Sequence, residues 1–207
     1  MISIFIFVGP PEIVKAPENS ILIVGQSVTL IANVIGNPKP QITWFYKGQP
    51  LKSSATKYPI DAKKDGFYSL TILKGDLSDD GVYTLVAENS VDKVQAEAKV
   101  TVCTKPKIDK FTDVAVNIGE TGRLQCQYSG QPVPTISWFK DGKPISNDDQ
   151  HAVITQETST LSALTINTTT MDDKAVYSVK VASIGGEVEG KANLNVKRKF
   201  FQHYDLE

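Results

Sequence analysis

The sequence predicts an all-β chain: two β-sandwiches in tandem. Three observations predict it. A set of residues recurs at a fixed offset of 94 positions. Each copy reads as short strands separated by Gly and Pro turns. No stretch carries helical periodicity for more than a turn or two.

The repeat comes first. Trp44 and Trp138 stand 94 residues apart, and so do Tyr83 and Tyr177. Gly25 with Gly119, Gly36 with Gly130, Pro38 with Pro132, Pro40 with Pro134 and Gly48 with Gly142 keep the same offset. Apolar positions follow it too: Leu70 with Leu164, Ile72 with Ile166, Val100 with Leu194, Val102 with Val196. No gap is needed from Gly25 to Val102. The chain is a duplicated unit of about 95 residues, close to the size of a β-sandwich. The predicted boundaries are a lead-in at 1–9, a first domain at 10–103, a second at 104–197 and a tail at 198–207.

Within the first copy, Val28, Leu30, Ala32 and Val34 alternate with Thr29, Ile31 and Asn33. That is a half-buried strand pattern with Ile31 as its exception. Gly36-Asn37-Pro38-Lys39-Pro40 breaks it. Ile42 to Phe45 is the next strand, and Lys47-Gly48-Gln49-Pro50 turns. Tyr68, Leu70 and Ile72 share one face. Val82 to Ala87 and Val94 to Val102 are the last two strands. The second copy repeats the order with Leu124-Cys126-Tyr128, Ile136 to Phe139, Leu164-Ile166, Val176 to Ala182 and Val188 to Val196.

Composition narrows the class. The 207 residues are 41% apolar, enough for ordinary cores, with a formal net charge of −1. Lys and Arg are scattered, so electrostatics give no reason to expect nucleic acid or a membrane surface as partner. Ile2 to Val8 is an apolar run. It is too short for a bilayer, which needs about 20 apolar residues, and it lacks the basic start of a signal peptide. Only Cys103 and Cys126 are present, so no disulfide framework is available.

These residues together resemble the intermediate-set (I-set) immunoglobulin domains. The Gly-x-Pro-x-Pro turn leading to a buried Trp appears as Gly36 to Pro40 before Trp44, and as Gly130 to Pro134 before Trp138. The Asp-x-Gly-x-Tyr corner appears as Asp79-Asp80-Gly81-Val82-Tyr83. In the second copy it is Asp173-Lys174-Ala175-Val176-Tyr177, with Ala175 in place of glycine. The resemblance covers nearly all of residues 10–197. It implies two immunoglobulin-like Greek-key β-sandwiches whose tyrosine hydroxyls bond back to the backbone.

The departures from the family are informative. Its inter-sheet cysteine positions align with Ala32 and Leu85 in copy one, and with Cys126 and Val179 in copy two. Neither copy can form that bridge, whose loss typically costs about 2–5 kcal/mol. Apolar packing must make up the difference, and Cys126 is expected to be a buried, inert thiol. Missing bridges point to a reducing compartment. Disulfide-free tandems of this set resemble those of the giant muscle proteins titin, twitchin, projectin and the Sallimus/kettin group. That resemblance implies an intracellular sarcomeric segment. Its partners would be actin, myosin or other sarcomeric proteins, in line with neighbouring immunoglobulin or fibronectin repeats. The alternative is a recognition module of a cell-adhesion or receptor protein. Asn167-Thr168-Thr169 fits a glycosylation triplet and favours that alternative.

Nothing in the sequence reads as an enzyme, a cofactor site or a metal site. His151 and His203 have no Cys or acidic partners at ligand spacing, so both are expected to be solvated. Glu12, Glu18, Asp109 and Asp113 flank the domain starts without calcium-loop spacing. The acidic pairs Asp79-Asp80 and Asp172-Asp173 recur before the tyrosine corners, which suits Asp side chains bonding local backbone amides. Cys103, at the end of a strand beside Thr104-Lys105-Pro106, is expected to be partly exposed. The linker lacks Gly and Ser, so a semi-rigid spacer is expected. The structural core is expected around Trp44, Trp138, Tyr83, Tyr177, Ala32, Leu85, Cys126 and Val179.

Overall fold

The computed structural model describes residues 8–146 and 150–198. The apolar run before Val8, His203 and the tail beyond Arg198 lie outside the described residues. The chain divides into two compact units, residues 1–103 and 104–207.

In the first unit the strands are β1 (Gly9–Lys15), β2 (Ser20–Ile23), β3 (Val28–Asn37), β4 (Gln41–Tyr46), β5 (Gln49–Pro50), β6 (Ile60–Ala62), β7 (Phe67–Ile72), β8 (Gly81–Glu88) and β9 (Lys93–Cys103). They form a four-stranded sheet ordered β1-β3-β7-β6 and a five-stranded sheet ordered β2-β9-β8-β4-β5. The second unit repeats this with β10 (Lys107–Phe111), β11 (Val114–Asn117), β12 (Gly122–Ser129), β13 (Thr135–Lys140), β14 (Lys143–Pro144), β15 (Ala152–Thr158), β16 (Leu161–Ile166), β17 (Ala175–Ser183) and β18 (Gly186–Lys197). Its sheets are ordered β10-β12-β16-β15 and β11-β18-β17-β13-β14. In the first unit the chain changes sheet from β1 to β2, β2 to β3, β3 to β4, β5 to β6 and β7 to β8, and the second unit repeats these crossings, as in a Greek key.

Alternation decides which residues fill each sandwich. On β3, Leu30, Ala32 and Val34 are buried while Ile31 stays 47% exposed. They meet Tyr68, Leu70 and Ile72 of β7, together with Trp44, Tyr83, Leu85, Ala87, Ala98, Val100 and Val102 from the other sheet. The second core gathers Leu124, Cys126 and Tyr128 with Trp138, Tyr177, Val179, Val181, Leu194 and Val196. Each fully buried aliphatic side chain of this kind contributes about 1.5–3 kcal/mol by leaving water.

The turns follow from their residues. Lys47-Gly48 and Asp141-Gly142 take positive φ at both positions, 48° and 73°, then 47° and 78°. Such two-residue turns match the twist of a tight hairpin. Gly36 and Gly130 serve a different need. A Cβ on Gly36 would stand 2.8 Å from Pro40 Cγ, and one on Gly130 would stand 2.6 Å from Pro134 Cγ. The second proline of each turn therefore folds back onto the glycine. Ala175 replaces Gly81 for a visible reason. At Gly81 (φ 149°) a Cβ would press on the Tyr46 ring at 3.1 Å. The residue in the Tyr46 position of the second unit is Lys140, so that obstruction is gone.

The short β5 and β14, and the strands β1, β2, β6, β10, β11 and β15, carry no clear strand signal in the sequence. All are edge strands held by backbone pairing rather than by long apolar alternation. β2 runs parallel to β9 with Ser20 opposite Val100 and Ile23 opposite Cys103. β11 repeats that with Val114 opposite Leu194 and Asn117 opposite Lys197. This pairing also corrects the expectation for Cys103. The residue is fully buried at the end of β9, and burial pushes its thiol pKa upward.

Candidate functional site

The most concentrated chemistry lies at the tyrosine corners. In the first unit a single 3-10 turn, Leu77–Asp79, precedes β8. Tyr83 donates its hydroxyl hydrogen to the Asp79 carbonyl at 3.0 Å. The Asp79 carboxylate is only 1% exposed. It accepts from Lys57 Nζ at 2.5 Å, Tyr58 OH at 2.7 Å and the Asp76 amide at 2.9 Å. The neighbouring Asp80 turns the other way. Its carboxylate accepts from the Val102 amide at 2.9 Å, tying the corner to β9. Tyr46 stacks on Tyr83 with centroids 4.5 Å apart and donates to the Asp80 carbonyl. Burial, then the Asp79 carboxylate, pushes the Tyr58 phenol well above its ordinary pKa.

The second unit rebuilds this with other residues. Tyr177 donates to the Asp173 carbonyl at 3.1 Å. The Asp173 carboxylate accepts from the Thr170 amide at 2.8 Å and the Thr170 hydroxyl at 3.0 Å. His151 Nε2 lies 3.0 Å from both of its oxygens, and Lys140 Nζ lies 3.4 Å away. Burial alone would raise the Asp173 pKa. The Thr170 amide, His151 and the Thr170 hydroxyl outweigh it and hold the carboxyl below its ordinary value. His151 stays exposed as expected, with 44% of its side chain accessible, yet its ring also meets a buried carboxylate. The fold brings β15 and the turn before β17 together and seats the imidazole on a buried acid. The signal was present in the sequence: Lys57 and His151 are 94 residues apart, but their different residue types hid the match. The same register aligns Asp79 with Asp173 and sets Asp80 against Lys174, leaving Asp172 outside the network.

Two buried carboxylates are each held by several local donors. Their chemistry is that of a lock joining a turn, a strand and a cation. Among the described residues, no three His, Cys, Asp or Glu side chains gather so as to hold a metal ion.

The positions aligned with the inter-sheet bridge are closed by packing. Ala32, Leu85, Cys126 and Val179 are all fully buried. Desolvation raises the Cys126 thiol to about 11. Trp44 and Trp138 are each 1% exposed. Trp138 donates to Ser162 Oγ at 3.0 Å and meets Phe111 edge-on at 5.5 Å. Tyr68 holds the Ser162 position in the first unit, and there Trp44 Nε1 has no hydrogen-bond partner.

Asn167 is exposed, with its amide donating to the Gln150 carbonyl at 3.3 Å. Thr169, the third residue of that triplet, is 2% exposed and donates to the Asn117 and Glu120 carbonyls. No helix among the described residues is long and apolar enough to cross a membrane.

Comparison with known proteins agrees with this architecture. The family profile for the immunoglobulin I-set domain matches residues 11–102 and again 106–196. The mouse peroxidasin homologue is 33% identical over 90% of the chain. The muscle M-line assembly protein unc-89 of Caenorhabditis elegans is 29% identical over 91%, and Drosophila melanogaster titin 30% identical over 91%. The chain spans only 12%, 2% and 1% of these relatives' lengths. An I-band fragment of titin, domains I67–I69, superposes with a TM-score of 0.72 at 23% identity. That overlay covers 93% of this chain and 67% of the fragment. I-set domains are non-enzymatic structural modules, and their tandems are protein-interaction modules. With both repeats matched, the chain belongs to the immunoglobulin I-set family.

Proposed function

We propose that the chain is a structural and protein-binding segment of a giant intracellular muscle or cytoskeletal protein, a semi-rigid elastic spacer and docking surface in the sarcomere. The observation that carries this reading is the replacement of both inter-sheet bridges by packing at Ala32, Leu85, Cys126 and Val179. A sandwich that keeps its cores without cystines suits a reducing compartment. Likeness to titin and unc-89 supports the same choice. Sarcomeric proteins such as actin or myosin are the partners this reading favours.

Each unit is also built to resist extension. In the first, β2 near the start and β9 at the end lie side by side and parallel. Tension drawn through the two ends loads that ladder in shear, so its hydrogen bonds must fail together. The Val24 amide to Cys103 carbonyl bond at 2.8 Å extends the ladder, as Ile118 to Lys197 does in the second unit. Resistance is then set by an unfolding barrier rather than by equilibrium stability. Single-molecule pulling tests this: two all-or-none extensions of similar size are expected. Gradual yielding at very low force counts against load bearing.

A second reading is a recognition module of an adhesion or receptor protein. Exposed Asn167 and the likeness to the peroxidasin homologue favour it. A secreted native product carrying a glycan on Asn167 would replace the first reading with this one.

A further inference from the structure

The two units share a fold but differ on one face. On the outer side of the β1-β3-β7-β6 sheet, Ile31 and Phe67 are 47% and 40% exposed. Ile31 pairs with Ser69, two residues along β7 from Phe67, so the two apolar side chains are diagonal neighbours. With Thr29 and Ser69 they line an open groove of about 440 Å³. Lys15 of β1, Lys63 between β6 and β7, and Tyr68 complete its lining, and no carboxylate does.

The corresponding face of the second unit keeps Leu161 in the Phe67 position but is otherwise more polar. Arg123, Gln125 and Glu157 occupy the positions of Thr29, Ile31 and Lys63. Gln125 donates to Glu157 at 3.0 Å, and Arg123 is ion-paired with the same carboxylate. One copy therefore satisfies this surface internally, and the other leaves an apolar floor between lysines.

We propose that this groove of the first unit docks a segment of another polypeptide in which an aliphatic or aromatic side chain is flanked by carboxylates. The inference rests on the docking half of the function proposed above and is tested separately from the mechanical half. Charge complementarity selects the occupant. Lys15 and Lys63 belong to opposite sides of the sheet, so a segment crossing the strands places its apolar residue over Ile31 and Phe67 and a carboxylate near each lysine. Lys15 already holds exposed Glu18 at 3.4 Å, a weak surface pair that an incoming carboxylate can replace. Asp61 lies on β6 opposite Ser69, and among the described residues no carboxylate forms an ion pair with Lys63. A two-fold pairing of this face with a second copy would set lysine against lysine.

The test uses the whole chain and a synthetic hexapeptide with a leucine–tryptophan centre between two pairs of glutamates. A control peptide carries lysines in place of the glutamates. Backbone and methyl NMR shifts are followed during titration. Changes confined to β3, β7, Lys15 and Lys63, weakened by salt and absent with the lysine peptide, are expected. Ile31→Gln, which installs the residue the second unit carries, should weaken binding about tenfold. Lys63→Glu should weaken it severalfold without touching the apolar floor. Unchanged unfolding midpoints keep both variants interpretable. Equal response to the two peptides, shifts spread over both units, or no saturable shift at millimolar peptide would overturn the proposal. So would self-association in sedimentation that Ile31→Gln abolishes, because the occupant would then be a second copy.

Discussion

Tyr83 and Tyr177 each spend their hydroxyl on one backbone carbonyl, four residues upstream. Removing it leaves a buried acceptor without its donor. Tyr83→Phe and Tyr177→Phe should each cost about 1–2 kcal/mol, read as a lower urea midpoint at unchanged slope. The buried Asp173 has a pH consequence. Asp173 has a folded pKa below its ordinary 3.8. Its stabilisation is complete above that ordinary value and is lost as pH falls through the depressed folded one. Acid titration of the unfolding midpoint should therefore steepen below about pH 4, and Asp173→Asn should flatten that limb while lowering stability at neutral pH. A parallel offset of the two curves would mean that Asp173 is not the group responsible.

At the scale of the element, the sandwich tolerates loss of its bridge because β3 with β8, and β12 with β17, present well-matched apolar faces. The second unit is one substitution from restoring it. Val179→Cys places a thiol in the position that faces Cys126. Mild oxidation should then form an intradomain disulfide, seen as a loss of two thiols and a stability gain of about 2–4 kcal/mol. Failure to cross-link would mean that β12 and β17 are offset from the family's register. The turns were readable for local reasons: only glycine lets Pro40 and Pro134 close on Gly36 and Gly130. The edge strands were not, since β2 and β11 owe their place to partners about 80 residues away in sequence.

For the whole molecule, each unit holds a complete core of its own, built around Trp44 in one and Trp138 in the other. Fragments 8–103 and 104–198 should therefore each fold alone, giving dispersed amide spectra and cooperative unfolding. A fragment that remains unfolded until its neighbour is added would show that the tandem, not the domain, is the folding unit. Two independent cores also suit a spacer, because one unit can open under load while the other stays folded.

The amino-acid sequence by itself determined the duplication, the alternating strands, the tryptophan cores, the tyrosine corners and the absence of inter-sheet bridges. These depend on local periodicity or on residue identity at a fixed offset. Tertiary structure alone decided three things: that Cys103 is buried, that His151 sits on Asp173 in the place where Lys57 sits on Asp79, and that Ile31 and Phe67 form one groove. Each depends on side chains brought together from strands distant in sequence. Such contacts follow from the register of paired strands, which single-strand patterns do not encode.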